Sequence, residues 1–574
     1  MSLSRNQRMF RKNIFAALLF VLVCGSLRGQ QGHYIRFEVG NRRALDTITR
    51  LVSIDDVRGR TVYAYATDAQ LERFKARTTL DFSFLPLPAR KSGTLKMASD
   101  HSRMSDWDRY PTYDLYEAMM DSMASAHPGI CRLDTIGFTG EGRRLLVMRI
   151  TDHPGNQEDE PELFYTSSIH GDELVGYVLL LRLADTLLSS YGEDQRLTSM
   201  VNEMDIFINP LANPDGAYAG GNHTISQAQR YNANVVDLNR NFPDPQDGPH
   251  PDGRSWQSET LAMMDFAEER HITLSANFHG GTEVANYPWD TWKRQHVDSA
   301  WFQHISSLYA GSAQSNSPPG YFTAIHPSGI TNGYDWYSIS GGRQDYMNYF
   351  QQAREITLEI SDAKLPDASL LPEFWEYNRE AMLLYMEECL YGLRGVVTNA
   401  SGEPLSAKVE VTGHDQERDS SMVFTDPQAG DYHRMIAPGS YDVRFSAPGY
   451  RDTIIDGVPV MQGASTRVDV VLSKKATGLE TSANGLLSDI HCYPNPFRHF
   501  LNLEVTLEQP VEEATISISD SRGTIIRMIR KKKLPPGRHF LHLVDESDQM
   551  APGIYFIRIS AENHQQVRKV LKVH

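Results

Sequence analysis

The chain has 574 residues, 40% of them hydrophobic and 22% charged, with a formal net charge of −16 and a sequence pI near 5.7. At roughly 100–200 residues per domain, that length means about four folded units rather than one core. The acidic balance argues against a nucleic-acid or anionic-membrane surface and reads as ordinary solubility.

In chain order, Arg5, Arg8, Arg11 and Lys12 precede the apolar run from Ile14 to Leu27. That run is short for a membrane span and has the charged flank of a secretory signal, so residues 1–29 are read as a signal peptide. No later segment reads as transmembrane. Residues 30–95 read as a small α/β unit, with "HYIRFEV" a strand and "TVYAYATDAQLERFKA" a strand running into a helix, followed by the linker "LPLPARKSG". From 105 to 392 the β-rich stretches "RLLVMRITD", "PELFYTSSI", "MDIFINPL", "ITLSANF" and "EITLEIS" alternate with the helical patterns "ELVGYVLLLRLADTLL", "SETLAMMDFAEER" and "EFWEYNREAMLLYMEECL". This alternation predicts an α/β domain around a mixed or mostly parallel sheet. Within it, "IGFTGEGRRL" lacks the strand–turn–helix context of a phosphate loop and reads as a hairpin turn.

Residues 393–474 lose the helical period and read as a β-sandwich. A polar linker, 475–488, leads to a second β-rich block, 489–574, in which "RKKK" (Arg530 to Lys533) reads as a solvated charged turn. Of the four cysteines, Cys24 lies in the signal. Cys131, Cys389 and Cys492 have no paired spacing and read as small core hydrophobes rather than a disulfide framework.

One stretch raises a chemical question. In "FYTSSIHGDELVG", His170 and Glu173 stand where an apolar run ends and a helical pattern begins. Catalytic zinc takes three protein ligands and keeps a position for water, and residues three apart share a side of a helical turn. A third ligand is expected at the end of another strand, because ligands of open α/β sheets gather outside the carboxyl ends of strands. "ITLSANFHGG" ends such a run at His279. Glu359 in "EITLEIS" is an acid among apolar neighbours, a candidate general base. Taken singly, each has an ordinary reading: a polar turn, a capped strand-end histidine, a glutamate on a wet sheet face.

Their order changes the weight. "SIHGDE", "NPDG", "DLNRNFPD", "FHGGTEVANYPWD", "WYSISGGRQD" and "TLEIS" resemble, in this sequence, the motifs of the zinc metallocarboxypeptidases, most closely the carboxypeptidase N/E branch, over about Tyr110 to Gly392. The resemblance implies a mixed eight-stranded sheet flanked by helices, and one Zn²⁺ per catalytic domain held by His170, Glu173 and His279. It implies Glu359 as the base acting on water, Arg230 as the oxyanion arginine, and Asn239 and Arg240 as the grip on the substrate's terminal carboxylate. Tyr337 matches the mobile tyrosine that closes over substrate. Asp290 falls at the pocket position of relatives that remove Lys or Arg, and Gln344 at the pocket floor. The chain departs from the pattern at Gln229, Trp289 and Arg343, none of which removes a catalytic group.

By the same resemblance, 393–474 is a transthyretin-like module and 489–574 a type IX secretion sorting domain. A secreted or surface-attached protein at the outer membrane of a Bacteroidetes-type bacterium follows, with peptide or protein C-termini and the type IX machinery as partners. The unit 30–95 is either a propeptide over the cleft, as in pancreatic relatives, or a fixed accessory domain. Two other functions fit the same motifs: an amidohydrolase of cell-wall peptides, and a catalytically silent surface-binding protein.

Overall fold

The computed structural model describes residues 32–87, 95–475, 487–520, 523–544, 550–562 and 564–573. The signal-peptide reading, the Arg90–Lys91 pair and most of the linker 475–488 lie outside the described residues. The chain divides into two compact units at Lys475/Ala476. Among the described residues no helix is long and apolar enough to cross a membrane.

The first unit is built on an eight-stranded mixed sheet. Its order is Ile330–Asn332, Thr282–Tyr287, Arg354–Ser361, Ile272–His279, Glu162–Ser167, Asp205–Asn209, Arg144–Ile150, Cys131–Phe138. The four strands from Arg354–Ser361 to Asp205–Asn209 are mutually parallel, so their carboxyl ends open on one edge. Every residue of Glu162–Ser167 is buried, as a parallel strand covered on both faces requires. Leu163, Tyr165, Phe278 and Leu358 share a core with helices Tyr113–Ala126, Val175–Ser190, Ser299–Ser315 and Leu371–Glu387. Phe164 and Phe207 pack instead with helices Ser258–Glu268 and Arg343–Phe350.

Two local readings sharpen here. The "GFTGEGRRL" stretch is the hairpin between the last two strands, closed by Thr139 N–H donating to the Arg143 carbonyl (2.9 Å) with Gly142 at φ 84°. The helical pattern that starts at Glu173 becomes helix only at Val175. The five residues before it form a turn, which frees His170 and Glu173 to point away from the helix.

The N-terminal part, 32–87, is an antiparallel sheet in the order Ser53–Arg58, Thr61–Thr67, Gly32–Glu38, Phe82–Leu85. Helix Asp68–Arg77 crosses it, and Thr67 and Gln70 form its capping box. Its core of Ile35, Phe37, Val62, Leu71 and Phe74 continues without a break into Val284, Trp336, Tyr337 and Ile339 of the α/β domain. Burial of that shared apolar surface holds the two together.

Residues from Gly392 onward form two four-stranded sheets around Val397, Val409, Tyr432 and Phe445. This β-module is joined to the α/β domain by buried charge. Asp298 accepts from Arg354 (2.8 Å), from Arg434 (2.9 Å) and from the His414 imidazole (2.7 Å), while Arg434 also reaches Asp415 (2.6 Å). Burial alone would raise the Asp298 carboxyl, but Arg434 and Arg354 outweigh it and hold it well below the usual carboxylate range.

The second unit is a β-sandwich of three and four strands around Leu503, Val505, Ile516, Ile518 and Ile557. Here Arg530 to Lys533 do not turn. They extend strand Ile525–Leu534, whose antiparallel pairing with Val511–Asp520 supplies the backbone partners that an isolated charge run does not reveal. Cys131 and Cys389 are buried and free, and Cys492 is half-buried and free.

Candidate active site

Four of the residues singled out in the sequence meet at the carboxyl edge of the parallel strands. The turn after Glu162–Ser167 carries His170 and Glu173, Ile272–His279 ends on His279, and Glu359 lies opposite His279 in the neighbouring strand. A close backbone approach fixes the turn. A Cβ on Gly171 would come within 2.3 Å of the Gly216 backbone, so the glycines of "HGD" and "NPDG" exist to let these loops touch.

His170 Nδ1 is 3.0 Å from Glu173 Oε1 and 3.2 Å from His279 Nδ1, and His279 Nδ1 is 2.8 Å from Glu173 Oε2. Two imidazole nitrogens and a carboxylate converge on one point, a donor set that a shared cation would satisfy. Ligands about 2.0–2.1 Å from a tetrahedral zinc sit about 3.3 Å apart, so this triangle fits that ion with little adjustment. The outer nitrogens are held as well: His170 Nε2 lies 3.2 Å from Asp237 Oδ1 and His279 Nε2 lies 2.9 Å from the Asn277 amide. Burial pushes His279 down to about 4, which keeps its ring neutral and able to ligate. For Glu173, burial pulls upward, but His170, Lys364 and the histidine hydrogen bonds hold the carboxyl well below its ordinary range.

Glu359 is different in kind. Burial and the nearby Glu173 charge push its carboxyl well above the ordinary range, and its Oε2 is buried with no hydrogen-bond partner. An unsatisfied carboxylate oxygen beside a metal triangle is placed to handle a proton.

Arg230 lies against the same triangle, with its Nη1 3.3 Å from His170 Nδ1 and its Nε donating to Asp237 Oδ2 (2.9 Å). Asp237 also caps the short turn Leu238–Arg240 by accepting from Asn239 N–H (3.1 Å). One aspartate thus orients a metal-side histidine, the arginine and the turn that presents Asn239 and Arg240. Gly341, at φ 76°, lies so near that a Cβ would come within 2.4 Å of the Arg240 carbonyl.

Also lining the cavity, Asp290 is buried and accepts from Asn286 (3.1 Å) and from Gln344 (3.0 Å). Its backbone N–H and that of Thr291 are taken by Asp345 (3.0 and 2.8 Å). Asp345 therefore caps this turn, and the Asp290 carboxylate is left to the pocket it lines. Burial pushes it up to about 6. Nine of the ten residues nominated from the sequence line a single cavity of about 720 Å³, and the tenth, Gln344, donates to Asp290.

Three participants were not foreseen. Asp237 sat unremarked inside "DLNRN". Lys364 Nζ lies 2.9 Å from Glu173 Oε1. The third comes from the N-terminal unit: Asp55 lies 2.8 Å from Lys364 and 3.4 Å from Arg230, while the Ile54 carbonyl accepts from Arg240 Nη2 (3.1 Å). Tyr65 reaches Asp172 (3.5 Å), and Asp46 accepts from Tyr334 (2.7 Å) and Ser338 (2.9 Å), clasping the loop that carries Tyr337. Strand Ser53–Arg58 thus lines the same cavity, with Asp55 and the Ile54 carbonyl on Lys364, Arg230 and Arg240.

Residues 116–381 match the zinc carboxypeptidase family, 392–473 a carboxypeptidase regulatory-like domain, and 491–573 a secretion system C-terminal sorting domain. The chain is 36% identical to rat carboxypeptidase D over 378 residues, which are 63% of this chain and 27% of the relative, so it spans about a quarter of that protein's length. It is also 36% identical to mouse carboxypeptidase M, over 60% of this chain and 79% of the relative. The solved carboxypeptidase A of Helicoverpa armigera is matched at a TM-score of 0.49 and 19% identity, over 63% of this chain and 97% of that one. The chain belongs to the zinc carboxypeptidase family. Its last domain is of the class that sorts proteins to the exterior or the cell surface.

Proposed function

We propose that the protein is an exported zinc metallocarboxypeptidase that releases single basic residues, Arg or Lys, from peptide and protein C-termini. The observation that carries this reading is the convergence of His170, Glu173 and His279 with Glu359, whose Oε2 is buried without a partner, in one cavity that the buried Asp290 also lines. His170, Glu173 and His279 would hold the zinc, which when bound supplies a Lewis acid for the scissile carbonyl and acidifies the attacking water. Glu359 takes the proton of that water and returns it to the leaving amine. Arg230 faces the charge that develops on the carbonyl oxygen. Arg240 and Asn239 bind the terminal carboxylate, for which a planar guanidinium has the matching two-pronged geometry. Tyr337 closes the cleft from the side, and Asp290, backed by Gln344, pairs with a cationic side chain.

The N-terminal unit is read as the inhibitor of this cleft. Asp55 and the Ile54 carbonyl occupy Arg230, Lys364 and Arg240, so substrate and this strand compete for the same groups. For export, the sorting tail is read by type IX machinery, leaving the enzyme secreted or held at the outer membrane of a Bacteroidetes-type bacterium.

Turnover of hippuryl-Arg, hippuryl-Lys and hippuryl-Phe, with and without a chelator and after removal of the N-terminal unit, tests the reading. A zinc-replete protein inert on all three would overturn it. Asp290→Ala is expected to lower the preference for hippuryl-Arg over hippuryl-Phe by roughly 100-fold or more, since breaking a buried charge pair costs about 3–5 kcal/mol. Its zinc content should not change.

The same carboxyl sets a pH signature. Above about 6 Asp290 is ionised and attracts a cationic side chain, and below that value it is neutral and does not. The ratio of kcat/KM for hippuryl-Arg to that for hippuryl-Ala should therefore fall as pH drops from about 7 to about 5. Because titration of shared catalytic groups cancels in the ratio, a flat ratio removes Asp290 from the pocket's charge recognition.

A further inference from the structure

A second set of convergent donors lies far from the cleft, where the α/β domain meets the β-module. Asp159 stands on the loop 151–161 that precedes strand Glu162–Ser167, and Asp431 and His433 stand on strand Asp431–Arg434 of the module. One donor atom from each of the three lies within 4.8 Å of the other two. His433 Nε2 is 3.0 Å from Asp431 Oδ2, near the separation of two ligands on one small cation.

The charge at this junction is incompletely answered. Asp431 is only 4% exposed, yet its Oδ1 is buried without a hydrogen-bond partner, and the Asp159 Oδ1 is buried and unpartnered too. Arg467 is the cation at hand. It meets Asp159 through Oδ2 alone (2.6 Å) and divides its charge with Asp469 (3.0 Å). Arg394 reaches only the Asp159 backbone carbonyl (3.5 Å). Two carboxylates that each keep one oxygen buried and unsatisfied, with an imidazole within ligand range of both, leave room in the electrostatics for a further positive charge.

We propose that Asp159, Asp431 and His433 form a second Zn²⁺ site, one that binds the peptidase loop to the β-module and takes no part in catalysis. An imidazole with two carboxylates is a donor set for zinc, whereas calcium and magnesium prefer oxygen alone. Because the ligands come from two parts of the chain, the ion links them. Its binding free energy adds to the stability of the joined state.

The test is metal counting on the full-length protein. After stripping with a chelator and re-titration with Zn²⁺ alone, wild type should bind two equivalents. His433→Ala should bind one and keep its turnover of hippuryl-Arg. His170→Ala, which removes a ligand from the cleft, should also bind one equivalent, so the second site is read independently of whether the catalytic assignment is right. In the His170→Ala background Zn²⁺ should raise the thermal midpoint, and that rise should disappear on adding Asp431→Asn. Excess Ca²⁺ should not replace the effect. No equivalent bound by His170→Ala, a wild-type count that His433→Ala leaves unchanged, or a Zn²⁺-dependent midpoint that survives Asp431→Asn would each overturn the proposal.

Discussion

Glu359→Gln should lower the turnover of hippuryl-Arg by about 1,000-fold, within the ~100- to 10,000-fold that a positioned acid–base group contributes. The amide keeps the size of the carboxyl but cannot take a proton from water. Two controls separate this loss from damage. Zinc content should stay at the wild-type value, because the triangle of His170, Glu173 and His279 does not include Glu359. The thermal midpoint should not fall, because the residue replaced is a buried carboxyl with one oxygen unpartnered, and a neutral isostere is no harder to bury. A variant that keeps more than a tenth of wild-type turnover would assign the proton step elsewhere.

Removal of the N-terminal unit is the second large effect. Cleavage after Arg90 or Lys91, followed by dissociation of the fragment, should raise kcat/KM on hippuryl-Arg by roughly 100-fold, the factor that ~3 kcal/mol of preference for the roofed state withholds. The physical reason is competition for charge. Burial would raise the Asp55 carboxyl, but Lys364 and Arg230 hold it down, so it enters the cleft as an anion and occupies the groups that face a substrate. Asp55→Ala in the uncleaved chain should recover part of the gain, since Ile54 still engages Arg240 and the Tyr337 loop is still clasped by Asp46. If the fragment has left, as judged by size-exclusion chromatography, and activity is unchanged, the unit is an accessory domain and not an inhibitor.

The legible part of the site was the part written at strand ends. His279 closes a buried strand and Glu359 interrupts an apolar one, so both stand out against their neighbours. His170 and Glu173 were legible through their spacing, although the turn that holds them delays the helix by two residues. The groups that escaped notice act across long separations: Asp237 meets His170 from 67 residues away, and Asp55 meets Lys364 from 309. No local pattern announces such partners. Arg343 looked like a departure from the family and is explained by Glu355, a buried acid in the adjoining strand 3.1 Å away. Glu359 and Glu355 lie in the same strand and look alike in sequence. What distinguishes them is that Glu355 has an arginine and Ser275 (2.6 Å) to answer it, and Glu359 has neither. The charged run Arg530 to Lys533 failed as a turn for the complementary reason, that strand pairing is decided by the partner strand.

The contact around Asp298 gives the β-module a status its sequence texture conceals. A change of composition near Gly392 invites the idea of a detachable cassette, to be shuffled or lost in evolution and trimmed at the bench. Yet Asp298 and Arg354 belong to the peptidase, Arg434, His414 and Asp415 belong to the module, and the ion network between them is buried. In the intact chain, a substitution that removed Arg434 alone would leave Asp415 and Asp298 buried and short of a cation, and breaking such a buried pair costs about 3–5 kcal/mol against a typical total of ~5–15. Module and peptidase therefore constrain one another: a substitution on either side of the network is tolerated only as far as the charges on the other side remain answered.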